Sequence, residues 1–195
     1  MARAGSFTDV VAAAQACRRC PRMEGRTRAL GPGNGPLTAR VLFVAEAPGR
    51  LGADLTGVPL SGDQTGRNFN RLLAVAGIDR ASVFVTNAVL CNPRREDGRN
   101  DRPRAAEIRN CSDHLRAVLD LLNPALVVSL GRAALDALAL IEPHGRELAR
   151  DVATPHAWYG RTLVPLYHPG PRSVNVRGFE RHAAEYAALA ALLSS

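Results

Sequence analysis

The chain contains no lysine: all 25 basic residues among its 195 are arginine. That excludes a covalent mechanism through a lysine Schiff base. It also excludes the lysine of a phosphate-binding loop, and so the usual nucleotide-triphosphate motif. Long apolar runs are missing too. Stretches such as Pro124–Leu130 are far too short to span a bilayer, so no membrane association is expected. Met1–Val10 holds no apolar region of the kind an export signal needs, and a cytoplasmic chain is expected. Gly31-Pro32-Gly33-Asn34-Gly35 is rich in glycine but follows no strand, so no dinucleotide fingerprint, and no nucleotide cofactor, is read there. Cysteine is scarce, with only Cys17, Cys20, Cys91 and Cys111.

What is present suits one globular domain over residues 1–195, with 46% hydrophobic residues. The formal charge of +7 attracts polyanions, of which a nucleic-acid backbone is the usual one. Strand-like and helix-like segments alternate. Ser6 is placed to cap a helix through Ala14, and 22–40 reads as irregular. Val41–Ala45, Val83–Val85, Leu126–Leu130 and Leu163–Tyr167 read as short buried strands. Helical spacing marks Thr65–Ala76, Arg104–Leu122, Arg132–Ile141 and Gly178–Leu193. Strands separated by helices imply a three-layer α/β/α fold around a central four-stranded parallel sheet. In such sheets ligands bind beyond the carboxyl ends of the strands. The polar segments there are Glu46–Gly49, Asn87–Cys91 and His168–Ser173, and they are expected to converge.

Cys17 and Cys20 form a CxxC before the first strand, Cys91 follows the second, and Cys111 lies in the next helix. Without an export signal, metal binding is favoured over disulfides or buried free thiols. Four thiolates of this spacing can hold zinc or an iron–sulfur cluster. Either would tie the N-terminal segment to the loop after the second strand, positioning that loop.

Several stretches resemble the uracil-DNA glycosylase superfamily. Val44-Ala45-Glu46-Ala47-Pro48-Gly49 is similar to the first motif of family 4, and residues 52–66 are closer to the matching stretch of family 5. Thr86-Asn87 with Cys91 resembles a family 4 segment, and Tyr167-His168-Pro169 resembles the second motif of both families. The order of the four cysteines matches that in which both families bind a 4Fe-4S cluster. The resemblance implies a monofunctional glycosylase that hydrolyses the N-glycosidic bond of uracil, or of another deaminated base, in DNA. Two departures stand out. Leu60 replaces the usual phenylalanine that stacks on the flipped base, so either base stacking is weaker or another aromatic such as Phe69 supplies it; and Ala45 replaces a glycine.

By this resemblance His168 donates a hydrogen bond to the uracil O2, and the Asn87 amide reads the N3–H and O4 edge. Asp63 or Glu46 supplies the carboxylate that stabilises the cationic sugar or orients water. Ala47 stands where other members of the superfamily carry a catalytic aspartate. Main-chain N–H groups near Glu46 and Ala47 help hold the base. His168–Ser173 is read as a stiff loop entering the minor groove, with Pro171 and Arg172 near the vacated stack. Arg94, Arg95, Arg99, Arg102 and Arg104 are either a phosphate-contacting loop or a solvated one. Trp158 and Tyr159 face DNA or serve a turn or the core, and His114 and His182 are surface or structural. The expected partner is uracil-containing DNA, met by a monomer at the nucleoid. Two other readings fit the same residues: a non-catalytic iron–sulfur module that binds nucleic acid, and an iron–sulfur electron-transfer protein.

Overall fold

The computed structural model describes residues 5–193. The first four residues of Met1–Val10 and the last two of the expected 1–195 domain lie outside the described residues. Five strands form one sheet: β1 (Val41–Ala45), β2 (Phe84–Asn87), β3 (Leu126–Leu130), β4 (His156–Trp158) and β5 (Arg161–Leu166). Their order is β2-β1-β3-β5-β4. The first four positions in that order are parallel neighbours, while β4 pairs antiparallel with β5 at the edge. The sheet therefore has five strands, not four. The parallel part matches the expectation, and β4 is the addition.

The helices are α1 (Phe7–Ala16), α2 (Ala53–Thr56), α3 (Gln64–Val75), α4 (Ala105–Leu122), α5 (Arg132–Ala139), α6 (Leu148–Asp151), α7 (Pro171–Arg177) and α8 (Phe179–Leu193). Local chemistry sets their ends. Ser6 and Asp9 cap α1 reciprocally: the Asp9 carboxylate accepts the Ser6 N–H at 2.8 Å. α3 starts at Asp63, whose carboxylate accepts the Gly66 N–H at 2.9 Å. α4 ends at Asn123, in the left-handed conformation an asparagine tolerates.

β1 and β3 are buried throughout because helices cover both sheet faces. Leu42 and Val44 pack with Leu115, Val118 and Leu135 of α4 and α5 on one side. Val41 and Phe43 pack with Phe69, Leu72 and Tyr186 of α3 and α8 on the other. No helix among the described residues is long and apolar enough to cross a membrane.

One segment differs from the sequence reading. His168–Ser173 is not a continuous stiff loop: Pro171 opens α7. A proline's fixed φ suits the first helical position, where its missing N–H costs nothing.

Candidate active site and thiol cavity

Parallel pairing brings the ends of β1, β2 and β5 to one edge, and a cavity of about 780 Å³ opens there. Glu46, Ala47, Leu60, Asp63, His168, Pro171 and Arg172 all line it. Asn87 does not. It ends β2 beside Ala45 and is only 2% exposed. Its Nδ2 has no hydrogen-bond partner among the described residues. From the segment after β2, the cavity wall takes Asn92 and Pro93 instead.

His168 follows β5 and is half-buried. Its Nδ1 accepts the Gly170 N–H at 3.1 Å. The neutral ring therefore carries its proton on Nε2. Burial holds its pKa down to about 4, with Asp63 partly opposing. At neutral pH the ring is thus an uncharged donor. Two glycines make room for it. A Cβ at Gly170 would lie 2.9 Å from the ring Nδ1, and one at Gly131, whose φ is +93°, would lie 3.2 Å from the His168 Cβ.

The two carboxylates differ in setting. The Asp63 Oδ1 caps α3, and its Oδ2 lies where a Cβ on Gly49 or Gly52 would come within 2.7 or 2.8 Å. Glycine at both positions lets this carboxylate press against the main chain of the first motif. The Glu46 main-chain carbonyl accepts the Val89 N–H at 3.1 Å, while its carboxylate makes no hydrogen bond to the described residues. Burial raises its pKa, and Arg102 opposes the rise. Leu60 adopts φ +51°, a conformation a branched side chain rarely takes.

Sequence reasoning missed the brace behind this wall. Asn92, buried, donates to the Pro48 carbonyl and to the Asn100 Oδ1. The Asn100 Oδ1 also accepts the Arg50 N–H at 2.9 Å. Arg94 donates to Asn92 at 2.8 Å and pairs with buried Asp54. Of the arginines in this loop, Arg102 faces the cavity, Arg94 is used internally, and Arg99 pairs with Asp97 at 2.6 Å. No motif marks these residues; only their shared loop hints at them.

The four cysteines line a second cavity of about 110 Å³. The Leu90 N–H donates to the Cys111 Sγ at 3.4 Å, and the Asn110 amide to the Cys20 Sγ at 3.5 Å. Burial pushes the Cys91 thiol up to about 11 and Cys111 to about 12. Among the described residues, no three cysteine, histidine or acidic side chains close around a single metal ion. Next to this cavity Arg22 makes a fork to Glu107 at 2.7 and 2.8 Å and reaches Asp101 at 2.7 Å. The chain between Cys91 and Arg102 is therefore wall to both cavities.

Residues 32–192 match the sequence pattern of the Uracil DNA glycosylase superfamily. The chain belongs to that superfamily. It is 36% identical over 129 residues to the Type-4 uracil-DNA glycosylase of Archaeoglobus fulgidus, a match covering 66% of this chain and 61% of that protein. It is 32% identical over 154 residues to the Type-4 enzyme of Thermotoga maritima, covering 78% and 76%. The Type-5 uracil-DNA glycosylase of Pyrobaculum aerophilum is 29% identical over 199 residues, covering 88% and 85%. The match to the first of these relatives thus spans about three fifths of its length.

One expectation for this superfamily member is corrected. Phe69 cannot stack on a base: it is fully buried against Phe43 and Tyr186. The aromatic at the cavity is Tyr167, whose ring carries the Arg177 guanidinium 3.7 Å from its centroid. Of the roles open to Trp158, the structure shows the core. The side chain is buried, and its indole N–H donates to the Glu142 carbonyl at 2.7 Å.

Proposed function

We propose that the chain is a monofunctional DNA glycosylase, a monomer at the nucleoid, that hydrolyses the N-glycosidic bond of uracil or another deaminated base and leaves an abasic site. The observation that carries this is His168, a neutral imidazole with its Nε2 proton at the wall of a cavity large enough for an everted nucleotide. Breaking the bond puts negative charge on the departing base. A preorganised donor aimed at that charge stabilises the transition state, typically by about 3–4 kcal/mol. A neutral donor also avoids the cost of holding a buried cation before the base arrives.

The Asn87 Nδ2, buried and without a partner among the described residues, is the donor this reading assigns to the base edge. Asp63 and Glu46 face the sugar, where positive charge develops. Asp63, fixed in the helix cap, acts through its charge. The Glu46 carboxylate, free of hydrogen bonds to the described residues, orients water. Pro171 and Arg172 of α7, together with Leu60 and the main chain at Ala47, frame the base and the strand beside it. Without lysine there is no Schiff-base route to strand cleavage.

Cys17, Cys20, Cys91 and Cys111 fit a 4Fe-4S cluster. All four line one cavity of about 110 Å³, and two of their sulfurs accept N–H bonds. When bound, such a cluster supplies a four-point tether. The cysteines then hold the N-terminal segment against the loop that begins at Cys91.

The test is uracil release from a uracil-containing oligonucleotide, run beside hypoxanthine, xanthine and thymine mispairs. Wild type is expected to release uracil without nicking the strand. His168→Ala is expected to lose roughly 100-fold or more, with smaller losses for Asn87→Ala and Asp63→Ala. If iron-loaded wild type releases no base from any substrate, the chain is a non-catalytic binding module and the proposal is wrong.

A further inference from the structure

α7 faces the cavity but buries no side chain of its own. Polar ties hold it instead. Arg177 makes a fork to Glu185 of α8 at 2.6 and 3.0 Å, and the Ser173 Oγ lies 3.2 Å from the His182 Nε2. Ser173 lines the cavity, whereas His182 is 0% exposed. The other ring nitrogen of His182, Nδ1, has no partner among the described residues.

A buried imidazole with one partner has to place one proton. On Nδ1, that proton would make an orphaned buried N–H, which native structures rarely tolerate. On Nε2, it donates to the Ser173 oxygen and leaves Nδ1 as a bare acceptor. With its oxygen accepting from below, the Ser173 hydroxyl keeps its own proton for the cavity side. Beside it, Arg172 is exposed and pairs with no carboxylate among the described residues. A free hydroxyl donor next to a free guanidinium, at the mouth of a cavity for an everted nucleotide, suits one oxygen-rich anion.

We propose that His182 is a positioning residue: it holds the Ser173 hydroxyl as a donor to a backbone phosphate of the strand that carries the everted base. This rests on the DNA glycosylase reading. The phosphate contact forms before and during bond cleavage alike, so it acts on binding and not on the chemical step.

Kd for a uracil-containing duplex, KM and kcat are measured for wild type, Ser173→Ala, His182→Leu, His182→Gln and the Ser173→Ala/His182→Leu double variant. A hydrogen bond to a charged group predicts a rise of roughly tenfold in Kd and KM for Ser173→Ala and for His182→Leu, with kcat at saturating DNA little changed. The double variant is expected to match Ser173→Ala alone, because His182 acts only through that hydroxyl. His182→Gln, whose side-chain amide can donate in place of Nε2, recovers most of the affinity. The proposal is overturned if Ser173→Ala binds DNA as well as wild type, if the two single losses multiply in the double variant, or if His182→Gln is as weak as His182→Leu. Should His182→Leu fail to fold, Ser173→Ala and His182→Gln decide the matter by the same criteria. A wild type that binds the duplex but releases no base overturns the glycosylase reading and leaves the Kd comparison intact.

Discussion

Folding stability should fall more steeply with acid in wild type than in a His168→Leu variant. The folded protein holds this imidazole neutral down to about pH 4, because burial disfavours the cation. In the unfolded chain the ring takes up its proton near the ordinary value of 6.5. Between those two values the unfolded state binds more protons, so acid favours it. The His168 contribution is therefore fully present above about pH 6.5 and drains away as the pH falls toward 4. The full interval corresponds to roughly 3 kcal/mol at 1.36 kcal/mol per pH unit. Water reaching the ring's cavity edge lowers that to about 2 kcal/mol. Urea unfolding of both proteins at steps between neutral pH and pH 4 measures the difference. Burial also depresses His114 and His156, but they are common to both proteins and cancel. The variant should lose about 2 kcal/mol less over this range, whatever its stability at neutral pH. Equal slopes for the two proteins would refute the claim that the folded ring is uncharged.

Other perturbations have definite outcomes. Burial places the Glu46 carboxyl above the usual carboxylate range. The acid limb of the kcat/KM profile should therefore follow Glu46 and flatten in Glu46→Gln. Gly66→Ala would put a methyl group 2.4 Å from the Leu60 carbonyl oxygen. A loss of about 1–3 kcal/mol in thermal or urea unfolding is expected, because main chain has to move. Leu60→Phe should tighten uracil-DNA binding by up to about 1–3 kcal/mol through base stacking, seen as a lower KM. Cys111→Ser should cost iron content and visible absorbance, and with them thermal stability, since it unties the loop that Cys91 begins.

Much of the architecture could be read from the chain. β1 and β3 are unbroken apolar runs and α3 carries helical spacing, and both signals match their burial. β4 escaped notice because three residues, only one of them buried, make no pattern. α7 was hidden by its prolines and glycine, which read as loop although Pro171 is compatible with a first helical turn. The motif residues Glu46, Asp63 and His168 do share one cavity, since parallel strands deliver their following residues to one edge. The position of Asn87 was less legible. A strand's last residue can point to the cavity or behind it, and one step in the pleat decides which. The Asn92–Asn100–Pro48 brace could not be foreseen, because it depends on how two irregular segments meet.

With the proposed cluster bound, the stretch from Cys91 to Arg102 is anchored at one end by a sulfur and near the other by the Arg22–Asp101 bond, with the cavity wall in between. Anyone wishing to retune substrate choice by grafting this segment from a relative would have to transplant a whole frame. A donor loop one residue longer or shorter would misplace either its thiol or its asparagines, and libraries here should vary side chains while holding length constant.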